Sequence, residues 1–476
     1  MSIVKQEPQR VFDYFEELCA IPHGSGNTDG IATYLENFAK AHQFRYVRDK
    51  MNNIIVYKDA AKGYENAPPV ILQGHTDMVC AKDADCTKDM SREGLDLRAD
   101  GDFLFAEGTT LGGDDGIAVA MILAILESDL PTPAIEAVFT VDEEIGMFGA
   151  AALDLSLLHG RTMINVDSES EGVVTVGCAG GVMAKCTLPM QRISASEEAL
   201  KISVSGISGG HSGEAIGDGR ANAVTLLARL LLTISKETKI SLADISGGVK
   251  ENVIPSSAEA VITAQDADAV KKTVAAWEKI YRSEYAETDP ELTLAAERTT
   301  AQSVCDAEST ARAICFLTNL PNGVYAMSRA LPGLVQTSLS LGVVRMDQKA
   351  LYTEQCVRSN VGTQKKMLTD RIASLAQTLS GTVMLEGDYP AWEYRKESPL
   401  RNLMCAVYRE QNGKDLRLAA IHGGLECGIF AGKIEDFDCV SVGPDILDIH
   451  SPRERLSIAS TARVYAWITE TLKRMQ

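Results

Sequence analysis

The sequence has no apolar run that approaches the roughly 18 residues a membrane-spanning helix requires. Its first residues, Met-Ser-Ile-Val-Lys-Gln-Glu-Pro, carry charges where a signal peptide requires an apolar segment. The eleven cysteines include no Cys-x-x-Cys pair, which argues against a thiolate zinc site and a disulfide framework. These absences predict a protein of a reducing compartment, and we expect the cytoplasm.

An excess of basic residues is also missing, because 46 Lys and Arg stand against 65 Asp and Glu, for a formal charge of −19. A phosphate backbone or an anionic membrane would be repelled, so we expect neither nucleic acid nor membrane as a partner. The glycine clusters lack the Gly-Lys-Ser/Thr ending of a phosphate-binding loop. Two large classes of function are therefore disfavoured.

The length of 476 residues favours more than one domain. Apolar runs at 53–57, 69–72, 135–140 and 162–166 predict buried strands, and they alternate with helical patterns as in a βαβ architecture. After residue 184, alternating strands and helices suggest an inserted α+β domain. We therefore predict an α/β protein with a mixed, mostly parallel sheet between helices in residues 1–184 and 397–476, and an inserted domain in 185–396.

Polar residues stand where several predicted strands end or a helix begins. They are His75 and Asp77 after 69–72, Glu143 and Glu144 after 135–140, Asp167 after 162–166, Asp114 before a helix, and His450 near the end of the chain. Taken singly, each residue has an ordinary explanation, since an Asp before a helix is usually a cap and a strand-end His is usually hydrogen-bonded. Strands of one sheet bring their ends to one crevice, where so many carboxylates repel one another unless a cation is present. Imidazole with carboxylate, and no cysteine, is typical of zinc or a similar divalent ion with an open position for water.

Several motifs then resemble one superfamily. They are Gly74-His-Thr-Asp77, Gly113-Asp-Asp-Gly116, Asp142-Glu-Glu-Ile-Gly146, Asn165-Val-Asp167 and Gly209-Gly-His-Ser-Gly213. Together they resemble the co-catalytic di-zinc exopeptidases, which include carboxypeptidase G, aminoacylase-1 and tripeptidase T. Further segments, Cys19 to Gly26, Ile421 to Gly428 and His450 to Arg455, are similar to the aminoacyl-histidine dipeptidase (Xaa-His dipeptidase, carnosine-cleaving) branch. The resemblance spans essentially the whole chain.

The resemblance implies two divalent metal ions, zinc first and manganese or cobalt as alternatives. The implied ligands are His75, Asp114, Glu144, Asp167 and His450. Asp114 would bridge the two ions, with His75 and Asp167 completing one site and Glu144 and His450 the other.

The resemblance also implies roles around the metals. Glu143 would be the general base for a metal-bridging water, and Asp77 would orient the imidazole of His75. His211 would hold the oxyanion, from the same chain or from a second subunit. Arg358 would bind the substrate carboxylate, although the following Ser-Asn departs from the Arg-Ser-Ser-like pattern of related enzymes and a solvated surface arginine is an equal alternative.

Asn222 would contact the substrate, and His422 has either a role in substrate recognition or a purely local one. We expect a metallo-dipeptidase that hydrolyses small dipeptides, Xaa-His and β-alanyl-histidine included, with a homodimer formed through the inserted lid domain. The alternatives are an N-acyl amino-acid deacylase or broader aminopeptidase with the same metals, and a catalytically silent metal- or peptide-binding protein.

Overall fold

The chain forms two compact units in the computed structural model, which describes residues 3–195 and 198–476. Unit 1 comprises Met1–Cys178, Tyr394–Ala420 and Leu425–Gln476, and unit 2 comprises Ala179–Glu393 and Ile421–Gly424. The short segment 421–424 thus groups with unit 2, although the neighbouring residues on both sides belong to unit 1. Nothing in the sequence pattern had predicted this excursion.

The N-terminal segment of unit 1 alternates strands and helices. Its helices are α1 (Gln9–Cys19), α2 (Asp29–Ala41), α3 (Gly113–Glu127) and α4 (Phe148–Ala152), with a 3-10 turn at Leu155–Leu157. Its strands are β1 (Arg45–Arg48), β2 (Ile54–Lys58), β3 (Val70–His75), β4 (Leu97–Asp100), β5 (Phe103–Ala106), β6 (Ile135–Thr140), β7 (Thr162–Asn165) and β8 (Val173–Cys178). Strands β3 and β6 are buried along their whole length, as their uninterrupted apolar sequences require.

Unit 2 is built on an antiparallel sheet. Its strands are β9 (Gly180–Pro189), β10 (Arg192–Ser194), β11 (Ala199–Ser205), β12 (Gly210–His211), β13 (Ile240–Gly247), β14 (Val253–Ile254), β15 (Ala258–Ala264), β16 (Thr293–Thr299), β17 (Ser303–Cys305), β18 (Gly323–Met327), β19 (Val335–Met346), β20 (Ala350–Ser359) and β21 (Thr382–Tyr389). Its helices are α5 (Ala223–Glu237), α6 (Ala267–Glu284), α7 (Ala307–Asn319) and α8 (Gly362–Thr378), with a 3-10 turn at Ala215–Asp218. The large sheet has the order β16-β11-β15-β13-β19-β20-β9-β21, and β18 pairs with β19. Buried apolar residues of this sheet and of its helices form one core within the unit.

The chain then returns to unit 1. The helices of this segment are α9 (Pro399–Asn412), α10 (Glu426–Lys433) and α11 (Ile458–Lys473), and its strands are β22 (Arg417–Ile421), β23 (Asp438–Ser441), β24 (Ile446–Leu447) and β25 (Arg455–Ser457). Strand β23 enters the main sheet beside β7, in the order β1-β2-β6-β3-β7-β23-β8-β22. Strands β24 and β25 form a second small sheet with β5 and β4.

The main sheet of unit 1 is mixed, and its four central strands β6, β3, β7 and β23 run parallel to one another. Helix α3 packs against β3 and α1, and nearly all of its residues are buried. The α/β fold class, with a mixed sheet between helices and a second strand-and-helix unit, is confirmed. No helix in the described ranges combines the length and the apolar character that a membrane crossing requires.

Candidate active site

Ligand-type residues stand at or just after the ends of three adjacent parallel strands in unit 1. Strand β3 ends at His75, which is in register with Thr140 at the end of β6. Strand β7 ends at Asn165, two residues before Asp167. Since parallel strands end at the same edge of a sheet, the side chains that follow them meet there. Strand topology therefore brings His75, Asp167 and the loop carrying Glu143 and Glu144 to one edge.

Asp114 lies between two imidazoles. Its Oδ1 is 3.1 Å from His75 Nε2, and its Oδ2 is 3.1 Å from His450 Nε2. The residue has non-helical backbone angles at the first turn of α3, and its peptide bond with Asp115 is cis. The two oxygens of this one carboxylate thus face two different histidines, which is the arrangement expected of a residue that bridges two cations.

The histidines make further contacts on each side of Asp114. His450 Nε2 lies 3.0 Å from Glu144 Oε1, and His75 Nε2 lies 3.8 Å from Asp167 Oδ1. Hydrogen bonds with Asp114 and Glu144 raise the pKa of His450 to about 10. All five residues predicted as ligands from the sequence therefore come together in one cluster.

The crowding of buried carboxylates makes the cluster a candidate cation site. Burial and the charge of Asp115 raise the pKa of Asp167 well above its ordinary range, and Asp167 Oδ2 is buried without a hydrogen-bond partner. Ligand atoms within 4.8 Å of one another occur in two groups, His75 with Asp114 and Glu144, and His75 with Asp115 and Asp167. Nitrogen and oxygen donors without sulfur suit zinc, manganese or cobalt. The residues present fit two divalent ions.

Asp77 connects the ends of β3 and β6. Its Oδ1 accepts the Glu143 backbone N–H at 3.0 Å and its Oδ2 accepts the Ser25 hydroxyl at 2.7 Å. The backbone N–H of Glu144 points to the same carboxylate, with a 3.4 Å separation from Oδ2. His75 Nδ1 lies 3.0 Å from the Asp77 main-chain oxygen and 3.5 Å from its Oδ1. Asp77 thus contacts the His75 ring mainly through its carbonyl, while its carboxylate holds the loop of the two glutamates.

Glu143 stands beside the ligands without sharing their contacts. No side-chain hydrogen bond within residues 3–195 and 198–476 engages its carboxylate, in contrast to Glu144. Burial raises the pKa of Glu143 to about 8. A carboxylate that is free of other partners and has a pKa near neutrality is suited to taking up and releasing a proton.

Asp115 contributes to the site although sequence reasoning passed over it. It is buried, and its Oδ2 accepts the backbone N–H of His75 at 3.1 Å. A Cβ atom at Gly74 would lie 2.7 Å from that oxygen, so glycine is required there by the close approach. The sequence signal for Asp115 was its position as the second of two successive acids, directly before an apolar helix that had to be buried.

A layer of buried polar side chains lies beneath the cluster and was also missed. The Glu426 Oε2 atom accepts hydrogen bonds from Gln73 Nε2 and Thr140 Oγ1, both at 2.6 Å, and Gln73 Oε1 accepts from Asn165 Nδ2 at 2.6 Å. All four residues are fully buried. Gln73 and Asn165 precede His75 and Asp167 by two residues, so each shares a strand face with a ligand-type residue. A polar residue two positions before the ligand in an apolar strand is the signal that was available.

A second polar cluster lies in unit 2. Arg358 is buried, with 8% of its surface exposed, and its Nη1 donates to Tyr389 Oη at 3.2 Å while its Nε has no partner. Ser338 is paired with Arg358 across β19 and β20, and its hydroxyl lies 2.6 Å from His422 Nε2. Burial and the charge of Arg358 lower the pKa of His422 to about 4. Arg358 is therefore not the solvated surface residue that the sequence allowed as an alternative.

The remaining two predicted residues differ in their surroundings. His211 is exposed as a residue, but partial desolvation of its ring and the charge of Arg358 lower its pKa. Asn222 is buried and caps α5, because its Oδ1 accepts the backbone N–H groups of Val224 and Thr225. Its Nδ2 donates to the Leu341 carbonyl at 2.9 Å. The polar atoms of Asn222 are thus occupied within unit 2.

Comparison with known proteins identifies the family of this chain. The model of peptidase family M20/M25/M40 matches residues 71–474. The chain belongs to this family. The prediction of a peptide-bond hydrolase from the co-catalytic exopeptidases is thereby confirmed.

Individual relatives cover the whole chain. The cytosol non-specific dipeptidase of Escherichia coli K12 is 35% identical over 482 residues, which is 100% of this chain and 99% of the relative. The crystal structure of an aminoacylhistidine dipeptidase from Vibrio alginolyticus superposes with a TM-score of 0.94 at 31% identity, covering 99% of this chain and 98% of that one. A tripeptidase from Staphylococcus aureus shares the fold at a TM-score of 0.56 and 16% identity, with 98% of each chain covered.

Proposed function

We propose that this M20/M25/M40 peptidase is a metal-dependent dipeptidase that hydrolyses the amide bond of small dipeptides, Xaa-His and β-alanyl-histidine among them. The relatives named above, a non-specific dipeptidase and an aminoacylhistidine dipeptidase, support this assignment. The observation that carries it is the division of the Asp114 oxygens between His75 and His450, with the unengaged carboxylate of Glu143 beside them. A binding-only site has no use for that base.

The proposed metal ligands are His75, Asp114, Glu144, Asp167 and His450, and the proposed ions are two zinc ions, with manganese or cobalt as alternatives. When bound, the cations supply Lewis-acid activation of water and of the amide carbonyl. Asp114 would be shared by the two ions. Asp167, whose buried Oδ2 has no hydrogen-bond partner, would find one in a bound cation.

Glu143 moves the proton in the proposed reaction. Its carboxylate accepts a proton from the attacking water and then donates it to the leaving amine as the amide bond breaks. Asp77 keeps Glu143 in place through the 3.0 Å hydrogen bond to its backbone N–H. His211 is proposed as the hydrogen-bond donor to the oxyanion.

Arg358 is the proposed partner of the substrate carboxylate. Its buried guanidinium has an unpartnered Nε, and no acidic side chain within the described residues forms an ion pair with it. An unpaired buried cation is costly, so an anionic ligand is expected beside it. His422, neutral at pH 7, adds a polar group without repelling Arg358. A peptide carboxylate has the charge and the planar shape that this arrangement requires.

Glu169 is the proposed partner of the free amino group of the substrate. A dipeptide has this group, whereas the substrate of an N-acyl deacylase lacks it. Glu169 lies two residues after Asp167, is partly buried, and is near enough to Asp114 for that charge to affect it. No lysine, arginine or histidine of residues 3–195 and 198–476 forms an ion pair with Glu169. The ammonium group of a dipeptide would supply the missing cation.

Assembly and location complete the proposal. We place the protein in the cytoplasm, in line with the name of the E. coli relative. The proposed metal ligands, Glu143 and Glu169 belong to unit 1, whereas His211 and Arg358 belong to unit 2. We propose a homodimer formed through unit 2. Tyr325 and Met327 on β18 and Met384 on β21 are exposed apolar residues of that unit, which supports an interface there. Light scattering coupled to gel filtration tests the dimer.

The central test compares two neighbouring glutamates. The Glu143→Gln variant should lose turnover at least a thousandfold while its zinc content is unchanged, because the base is removed and the ligands remain. The Glu144→Gln variant should lose both turnover and about one zinc. Substantial turnover by Glu143→Gln, measured on β-alanyl-histidine with metal content from elemental analysis, would contradict the proposed mechanism.

A substrate panel separates the proposal from its alternatives. β-Alanyl-histidine, Leu-His, Gly-Gly, a tripeptide and an N-acetyl amino acid are assayed after chelation and return of metal. Dipeptides with both ends free should be preferred, and Glu169→Gln should lower kcat/KM for them about tenfold or more. A preference for the acetylated substrate would establish the deacylase alternative, and binding without turnover would establish the silent binding protein.

A further inference from the structure

A buried carboxylate lies four residues after His450, in the same loop between β24 and β25. Glu454 is 2% exposed. Among the described residues, no lysine, arginine or histidine forms an ion pair with it, unlike Asp448 of the same loop, which pairs with Arg455. A buried carboxylate in such surroundings is costly unless other donors compensate for its lost hydration.

Four successive backbone N–H groups provide that compensation. Glu454 Oε2 accepts from Leu111 N at 2.8 Å and from Gly112 N at 3.0 Å. Glu454 Oε1 accepts from Gly113 N at 2.8 Å and from Asp114 N at 3.2 Å. The segment 111–114 therefore forms a backbone nest for an anion, and the anion is a side chain of the protein itself.

Glycine is required in this nest. Gly112 has a φ of 68°, in the left-handed region, and a Cβ atom there would lie 2.8 Å from Met78 Sδ. A Cβ atom at Gly113 would lie 3.1 Å from Glu454 Oε1. The sequence Leu-Gly-Gly-Asp thus allows the main chain to approach the carboxylate closely, and the last of its four residues is the proposed bridging ligand.

We propose that Glu454 is a positioning residue for the metal centre, setting the separation of Asp114 and His450 and thereby the affinity of the site that they share. The proposal rests on the proposed metal-dependent function. The Glu454 carboxylate accepts a hydrogen bond from the backbone N–H of Asp114. Its main chain is joined to His450 through three intervening residues, so Glu454 connects the two proposed ligands. The 3.1 Å approach of Asp114 Oδ2 to His450 Nε2 is the distance that this connection controls.

The alternative is that Glu454 only stabilises the fold, and Asp102 provides a matched control. Its Oδ2 accepts the Ser457 hydroxyl at 2.6 Å and its Oδ1 accepts the backbone N–H of Ala459 at 2.9 Å. Asp102 is therefore a carboxylate that anchors the same C-terminal segment, a few residues further along, without contacting a proposed ligand. Loss of either anchor should lower the thermal stability of the full chain.

The test measures zinc affinity of the full chain by competition with a chromophoric chelator, well below the melting temperature. Glu454→Gln keeps one acceptor oxygen of two, and we expect its zinc dissociation constant for the weaker site to rise at least tenfold, within the range found for groups that orient metal ligands. Asp102→Asn should stay within twofold of the parent. With excess zinc, Glu454→Gln should recover most of its kcat at an unchanged KM.

Glu454→Asp keeps the charge but shortens the side chain, and its dissociation constant should fall between those of the parent and Glu454→Gln. It also serves as the second variant if Glu454→Gln fails to fold. An affinity within twofold of the parent in both Glu454 variants, or an equal loss in Asp102→Asn, would overturn the proposal. Failure of the parent to bind zinc, manganese or cobalt would instead overturn the proposed function, so the two failures are distinguishable.

Discussion

Removal of the metal ions should destabilise unit 1 by several kcal/mol. The cluster holds the carboxylates of Asp114, Glu144 and Asp167 around two imidazoles, and Asp167 Oδ2 is buried without a hydrogen-bond partner. A ligand that binds only the folded state at a hundred times its dissociation constant adds about 2.7 kcal/mol, so two sites add about 5 kcal/mol. For a unit of this size, 1 kcal/mol corresponds to about 2–4 °C, which predicts a rise of about 10–20 °C on zinc addition.

Calorimetry of the full chain before and after return of zinc measures the shift, and hydrogen exchange locates it. Peptides from β3, β7 and α3 should gain protection, since these elements carry or flank the ligands. Peptides from β9 and β20 of unit 2 should gain far less. The Asp114→Asn variant should lose more than half of the shift, because both sites share that residue.

Asp85→Asn is the matched control, since Asp85 is an exposed aspartate of the same unit. Its zinc-dependent shift should equal that of the parent. A shift that persists in Asp114→Asn, or equal protection of β20 and β3, would refute the reasoning. Such a result would mean that zinc acts at a surface site or through general ionic effects.

Other variants test the polar groups around the site. Arg358→Lys should raise KM for dipeptides about tenfold with little change in kcat, because lysine cannot bind the substrate carboxylate through two hydrogen bonds. Dipeptides with an amidated C-terminus should have the same KM in parent and variant. Gln73→Leu should leave Asn165 Nδ2 unpaired and Glu426 with only its hydrogen bond from Thr140. We expect a cost of about 1–3 kcal/mol, measured by denaturant unfolding of the metal-free protein. Because the pKa of His422 is lowered to about 4, its imidazole is protonated in the unfolded chain before it is protonated in the folded one as pH falls. The free energy of unfolding of unit 2 should therefore fall by up to about 3 kcal/mol between pH 6.5 and 4. The His422→Gln variant should lack this decrease.

The parts of the site that local pattern and strand order determine were predictable. His75, Glu144 and Asp167 follow apolar runs that had to be buried strands, and parallel strands end together. Asp114 was suggested by the acidic pair ahead of an apolar helix. His450 came from its motif rather than from any periodicity, since it lies in a loop between two short strands.

Long-range partners were not predictable in this way. Glu454 contacts segment 111–114 across some 340 residues of chain, and nothing in either stretch specifies the other. Glu426 reaches Gln73 in the same manner, from a glycine-rich segment that reads as a loop. The role of Asn222, in contrast, follows from its local sequence. An Asn directly before a helical pattern commonly caps the helix, and the Asn222 side chain caps α5.

The excursion of residues 421–424 into unit 2 has a practical consequence for dissecting the protein. A fragment spanning 179–393 contains the whole antiparallel sheet but lacks His422, so Ser338 would lose its imidazole partner and Asn360 would lose the Ile421 carbonyl that it contacts at 3.1 Å. A fragment that joins 1–178 directly to 394–476 would retain residues 421–424 but lack Ser338 and Asn360, which they contact. Neither half of this enzyme can be cut out by removing one continuous stretch of its gene.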